Sequence, residues 1–299
     1  MNRRAVQGWA VVLMGVVHGC AGAHSGPEPA TAFETPAPAC TEFAAIPKEL
    51  REPGSLLLFG EIHGTQELPS FFGEAVCTAA TSGLPVEVGL ELPETEQARF
   101  DSFLASPGGS SDVEALIAAP FWSRDFQDGR SSQAMVALLE RLRRLRAPGL
   151  PIHVFPFDID PGEDAADRDG KMASNLAAHA RAHSEALTMV LVGEVHAWKT
   201  KGSPWDPGFL PMGWHLTEAR LHVRSLGRST PAGLAWVCSG GLPSDCGPGE
   251  TRATQALPSG RTAGIELLPQ PSPRGYDGLY GTPSLTTSPP ALSSQSTHR

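Results

Sequence analysis

Short apolar runs that stop at Gly or at an acid alternate along this chain with longer stretches whose apolar residues recur at helical spacing. "SLLLFGE" is a brief, continuous apolar run bounded by Gly, the pattern of a strand buried on both faces. "LPSFFGEAVCTAATSG" follows with helical spacing and closes on Gly83, which suits a helix C-terminus. "PVEVGLEL" is a second strand, and "ETEQARFDSFLAS" a helix led by acids that suit its positive N-terminal end. The strongest helical pattern is "SSQAMVALLERLRRLRA", with Met135, Leu138, Leu139 and Leu142 on one face. "PIHVFPFDID" is a third strand, "ADRDGKMASNLAAHARAH" a further helix and "ALTMVLVGEVH" a fourth strand. Strands alternating with long helices predict an α/β domain, a mainly parallel sheet flanked by helices, over residues 40–280. From about Gly202 the texture changes to loops and short strands ("GSPWDPGFLPMGWHL", "RLHVRSLG", "GLAWVCSGG"), so the C-terminal part is expected to be loop-rich. The closing residues 281–299 lack an apolar pattern and read as a flexible tail.

The N-terminus reads as a targeting segment. Arg3 and Arg4 precede the apolar "WAVVLMGVV", and "VHGCAG" follows. The apolar run is too short to span a bilayer as a permanent helix. Residues 1–19 are therefore expected to be a signal peptide with a lipobox ending at Cys20, although His18 stands where a small residue is usual. Cys20 would carry the lipid, and residues 20–39 would form a Pro- and Ala-rich linker. That places the chain in a bacterial cell envelope, lipid-anchored at the outer membrane or in the periplasm; plain secretion is the alternative. Four cysteines remain, and an even number in an exported chain is best read as two disulfides. Three pairings exist; sequence proximity favours Cys238–Cys246, which leaves Cys40–Cys77. A zinc site is the rival reading, but the chain has no CxxC pair. The formal net charge of -9 argues against a nucleic-acid partner.

Two stretches nearly repeat each other, "LLLFGEIHGT" at 56–65 and "MVLVGEVHAW" at 189–198. Each is an apolar run ending in Gly-Glu-x-His, which suggests an internal duplication with one Glu–His pair per copy. Gly60 and Gly193 would let the backbone turn sharply as each strand ends. In parallel α/β sheets, ligands sit beyond the carboxyl ends of the strands. Glu61 and His63 follow the first strand, Glu91 ends the second, Asp158 and Asp160 close the third, and Glu194 and His196 close the fourth. If these strands are neighbours, the acids and histidines converge on one edge and serve acid–base or metal chemistry.

"FGEIHGTQE", "GLEL", "FWSRDFQDGRSS", "DRDGKMASN" and "VLVGEVHAW" resemble the superfamily of erythromycin esterases, ChaN-like haem-binding lipoproteins and Tiki-type proteases. The resemblance spans roughly residues 54 to 220, and "SPPA" at 288–291 is similar to the close of some members. Carried over by position, it implies that Glu61, His63, Glu91 and His196 are active-edge residues. Glu194 is less secure, because many relatives place another residue before the second histidine. Arg168, Asp169 and Lys171 either face the cleft or form a charged helix start. His215, in a loop rich in Trp and Met, is either a packed loop histidine or a ligand. Arg124, with Trp122, Asp125, Asp128 and Arg130, either lines a substrate wall or locks a lid loop.

Two functions follow. In the first, a hydrolase of ester or peptide bonds, His63 or His196 deprotonates a water while Glu61 or Glu194 orients the imidazole. Glu91 completes the catalytic set, and Arg124, Asp158, Asp160, Arg168 and His215 contact a small-molecule or peptide substrate. No Gly-x-Ser-x-Gly elbow is present to supply a nucleophile. In a metal-assisted version, His63, His196 and Glu61 bind a divalent ion that activates the water. The second function is haem or iron binding in an envelope lipoprotein. Only two tyrosines, Tyr276 and Tyr280, are present, which counts against a Tyr-ligated haem.

Overall fold

Every residue of the first strand, β1 (Leu56–Glu61), is buried, and successive side chains enter two different cores. Leu57 and Phe59 pack with α1 (Glu67–Thr81) and α5 (Gln133–Arg146), whereas Leu56 and Leu58 pack with α6 (Arg168–Ala182) and α7 (Met212–Glu218). A strand covered on both faces has no solvent side, so its sequence is a continuous apolar run rather than an alternation. The structure, a computed structural model, describes residues 39–160 and 165–292. The expected signal peptide, the Cys20 anchor and nearly all of the linker lie outside the described residues. No described helix is long and apolar enough to cross a membrane.

β1 belongs to a seven-stranded sheet with β2 (Val86–Pro93), β3 (Ile152–Asp158), β4 (Leu187–Gly193), β5 (Val223–Ser229), β8 (Gly264–Leu267) and β9 (Gly278–Gly281). The order is β3-β2-β4-β1-β5-β9-β8; β8 alone runs antiparallel to its neighbour. The steps β1→β2 and β2→β3 move one way across the sheet. Their helices, α1, α2 (Gln97–Ala105), α3 (Ser110–Leu116), α4 (Pro120–Ser123) and α5, lie on one face. The steps β3→β4 and β4→β5 move the other way, and α6 and α7 lie on the opposite face. Right-handed crossovers require this reversal of face with direction. The chain thus leaves β1 and β2 towards one side and β3 and β4 towards the other. Between these diverging connections a crevice opens at the carboxyl ends, the usual ligand position of an open α/β sheet.

The C-terminal part adds a hairpin, β6 (Gly233–Cys238) and β7 (Cys246–Thr251), whose register pairs Cys238 with Cys246. A disulfide joins them, and a second ties Cys40 to Cys77 on α1, the pairing expected. Two expectations fail here. "PMGWHL" contains the short helix α7 instead of a loop. Residues 282–292 are not a flexible tail. Ser288 is fully buried; its N–H donates to the Gly64 carbonyl (2.8 Å), and its hydroxyl accepts the Ala134 N–H (2.8 Å). The Pro289 carbonyl accepts the Gln133 N–H at 2.9 Å. The first amides of a helix have no intrahelical acceptor, and this segment supplies those of α5. Leu285 joins the core and Ala291 packs against it, but backbone and hydroxyl hydrogen bonds hold the stretch between them, so the segment carries no apolar period.

Candidate active site

The paired motifs end on adjacent parallel strands, with Glu61 of β1 in register with Gly193 of β4. The Glu194 N–H donates to the Glu61 carbonyl at 2.7 Å, locking the two strand ends together. Neither Gly60 nor Gly193 has a positive φ, so sharp turning is not their role. A Cβ on Gly193 would lie 3.0 Å from His63 Nε2 and 3.5 Å from Glu91 Oε2. One on Gly60 would lie 3.2 Å from both Ala197 Cβ and the Glu194 Cα. Glycine is needed at both positions for close approach.

His63 bridges two acids. Its Nδ1 is 2.9 Å from Glu61 Oε1, and its Nε2 is 3.3 Å from Glu91 Oε2. Burial disfavours the imidazolium, but the Glu91 charge and the hydrogen bonds to both carboxylates outweigh it and raise the pKa to about 10. At neutral pH His63 is therefore a cation donating from both nitrogens. Burial alone would raise the Glu91 carboxyl; the His63 cation and Arg168 instead hold it well below the ordinary range. Glu91 also accepts the Gly193 N–H at 2.7 Å. For Glu61 burial wins, its carboxyl is raised, and its buried Oε2 has no protein partner.

His196 is held differently. Its Nδ1 is 2.7 Å from Asp169 Oδ1, which also accepts the Met212 N–H at 2.8 Å. Its Nε2 is 3.1 Å from Arg168 Nη1. A guanidinium only donates, so Nε2 carries the lone pair and Nδ1 the proton. Arg168, the first residue of α6, also donates from Nε and Nη2 to Asp158 (both 2.8 Å) and from Nη2 to Glu91. Arg130 donates to Asp158 and, through Nε (3.0 Å) and Nη2 (2.8 Å), to Asp128. Asp128 continues to Arg124, whose guanidinium lies 4.0 Å from the Phe121 ring centroid. Arg124 in turn lines a groove of about 680 Å³ together with Gln127, Trp236 and Pro289. The Arg124–Asp128–Arg130–Asp158 chain thus links this groove to the Glu–His centre.

Glu61, His63, Glu91, Asp158 and His196 converge from the strand ends, and Arg168 joins them from the start of α6. Glu194 does not join them; its carboxylate accepts from Arg228 Nε at 2.8 Å, and Asp169 takes the orienting role expected of it. Asp160 accepts the Thr95 N–H (3.0 Å) at the end of β2. His215 packs against Trp214 and lines a cavity with Gly170, Ala173 and Ala177 of α6. Asp169 and Arg130 had two open readings each in the sequence, and the structure brings both to the site, Asp169 on His196 and Arg130 on Asp158; Arg228 carried no signal. Tyr280 donates to the Gly60 carbonyl and Tyr276 to the Glu194 carbonyl, both at 3.0 Å, so both hydroxyls brace the motif backbones.

The expected metal set does not fit. His63 points both nitrogens at carboxylates, and Arg168 bridges His196 and Glu91. The cationic guanidinium fills the place a divalent ion would need. Both tyrosine hydroxyls are engaged with backbone carbonyls, Tyr280 with Gly60 and Tyr276 with Glu194, which agrees with the expectation against a Tyr-ligated haem.

No family profile matches the chain, and no curated protein matches it in sequence. Solved structures do match. A mutant of the erythromycin esterase EreC in its open conformation aligns with TM-score 0.58 at 13% identity, covering 80% of this chain and 93% of that one. A Bacillus cereus protein aligns with TM-score 0.57 at 12% identity, covering 82% of this chain and 92% of its own. A succinoglycan biosynthesis protein aligns with TM-score 0.51 at 12% identity, covering 73% and 78%. The chain shares its fold, a mainly parallel sheet flanked by helices, with these solved structures.

Proposed function

We propose that this chain is an exported hydrolase of carboxylic esters that uses His196 as a metal-free general base. One observation carries the proposal: Asp169 fixes the His196 proton on Nδ1 and leaves the Nε2 lone pair towards Arg168 Nη1, in a cluster that Arg130 joins through Asp158. This is the geometry of an oriented base next to anion-binding groups. Water attached to the ester carbonyl carbon loses its proton to His196 Nε2 as the C–O bond forms. Arg168, Arg130 and the His63 imidazolium balance the charge of the tetrahedral oxyanion. On collapse the ester C–O bond breaks, and the His196 imidazolium returns the proton to the departing alkoxide. His63 is a poor base at neutral pH, because its pKa of about 10 keeps it protonated. Asp158 and the Glu91 carboxylate position the arginines and His63.

An ester is favoured over a peptide because a solved structure of this fold carries the name erythromycin esterase. The two disulfides support export to an oxidising compartment, with Cys20 as the lipid attachment point. The test is hydrolysis of p-nitrophenyl esters, erythromycin and a peptide anilide by the parent and by His196→Ala. The parent should cleave at least one ester, and the variant should lose about 10²-fold or more in kcat. Equal rates for parent and variant contradict the proposal.

A further inference from the structure

At the opposite, amino edge of the sheet, three histidines gather around one acid. Glu87 near the start of β2 is in register with His153 on β3, and His153 Nδ1 lies 2.7 Å from Glu87 Oε2. His179 and His183 stand four residues apart at the end of α6, so both face the same side of that helix. His179 Nε2 is 2.7 Å from Glu87 Oε2, and His183 Nδ1 is 3.5 Å from Glu87 Oε1. We propose that Glu87, His179 and His183 bind a divalent transition-metal ion, with Zn²⁺ the best match to their chemistry.

Four observations carry this. First, one donor atom from each of the three residues lies within 4.8 Å of the others. Two imidazoles and a carboxylate form a zinc-type donor set with a position left for water. Second, the rings are already oriented. Phe155 stacks on His179 with centroids 3.5 Å apart, and His179 stacks on His183 at 4.4 Å. Third, hydrogen bonding alone serves the cluster badly. Three imidazoles share one carboxylate, and charging stacked neighbours so close together sets like charges against each other. A divalent ion binds neutral imidazoles and supplies the positive charge at one point. Fourth, His183 is the C-cap of α6, where the negative end of the helix dipole favours a cation. Glu87 is largely buried while His183 is 44% exposed, so the carboxylate is fixed and the ion enters from solvent. His153 positions the ligating carboxylate through its own hydrogen bond.

This site is separate from the catalytic centre. Glu87 and Glu91 are four residues apart on one strand, roughly 13 Å along it. The experiment is titration of the chelator-stripped, tag-free chain with ZnCl₂ by calorimetry, with Co²⁺ absorption as a second probe. The expected result is one equivalent of Zn²⁺ and a tetrahedral Co²⁺ spectrum. His183→Gln and His179→Ala should each weaken binding tenfold or more, and His196→Ala should leave it unchanged. Circular dichroism confirms that each variant is folded; His183→Gln removes only a half-exposed ring at a helix end. No saturable binding, or an affinity that His183→Gln does not move, overturns the proposal. Loss of binding in His196→Ala also overturns it, because that places the ion at the other edge.

Discussion

Replacing Glu91 with Gln tests the electrostatics of the centre without relying on a substrate. The carboxylate accepts from the Gly193 N–H and Arg168 and sits 3.3 Å from His63 Nε2. An amide keeps one acceptor and turns a donor towards N–H groups that only donate. It also leaves His63 and Arg168 short of a negative charge in a buried place. Removing one partner of a buried ion pair costs about 3–5 kcal/mol. For a domain of this size each kcal/mol is about 2–4 °C, so Glu91→Gln should lower Tm by roughly 6–20 °C. The loss has a defined pH dependence. The folded pKa of Glu91 lies below its ordinary 4.5, so its contribution is present above that pH and fades as pH falls. His63 is raised from 6.5 to about 10, so its contribution is complete below 6.5 and is lost as pH rises through 10. The gap between parent and variant should be widest between pH 4.5 and 6.5 and should narrow towards 10. Thermal melts across pH, with NMR titration of His63, measure both. A Tm loss equivalent to less than about 1 kcal/mol, together with an unchanged His63 titration, would refute the reasoning.

Other outcomes follow from the same contacts. Asp169→Asn should lower kcat by about 10²–10⁴ with little change in KM, because it disturbs the His196 tautomer and not binding. Glu194→Gln, which weakens a partly exposed pair with Arg228, should leave kcat within a few-fold and cost less than about 1 kcal/mol in a denaturant melt. Mass spectrometry should find no free thiol among Cys40, Cys77, Cys238 and Cys246. Removing the Cys40–Cys77 link, which closes 37 residues, should cost about 4 kcal/mol on the chain-entropy scale, against about 2.5 for the 8-residue loop of Cys238–Cys246. Ester hydrolysis should survive a chelator in both the parent and His183→Gln; loss in both would place a metal at the catalytic edge.

Much of the site was legible because its residues follow strands that read plainly. β1 to β4 are covered on both faces, so their apolar runs stand out and their ends mark the edge where Glu61, His63, Glu91 and His196 meet. Pairing within the edge was not legible. Adjacency of Glu194 to His196 suggested an orienter, but the Glu194 carboxylate turns to Arg228 on β5, a strand whose placement the motif does not encode. Asp169 and Arg168 open a helix, where acids and bases also serve its ends, so composition could not separate that role from a place in the cleft. The 282–292 segment escaped for a related reason: hydrogen bonds to helix amides leave no period in the sequence. His179 and His183 lie in a stretch that the sequence marks only as a helix; the fold brings Glu87 of β2 to them.

The central claim is that His196, oriented by Asp169, is the base of a metal-free ester hydrolysis. Steady-state hydrolysis of p-nitrophenyl butyrate in the presence of chelator, compared for the parent, His196→Ala and Asp169→Asn, tests it most directly. The account predicts a parent rate well above buffer, near-complete loss in His196→Ala and a smaller but large loss in kcat for Asp169→Asn. A His196→Ala variant that hydrolyses the ester as fast as the parent would contradict it.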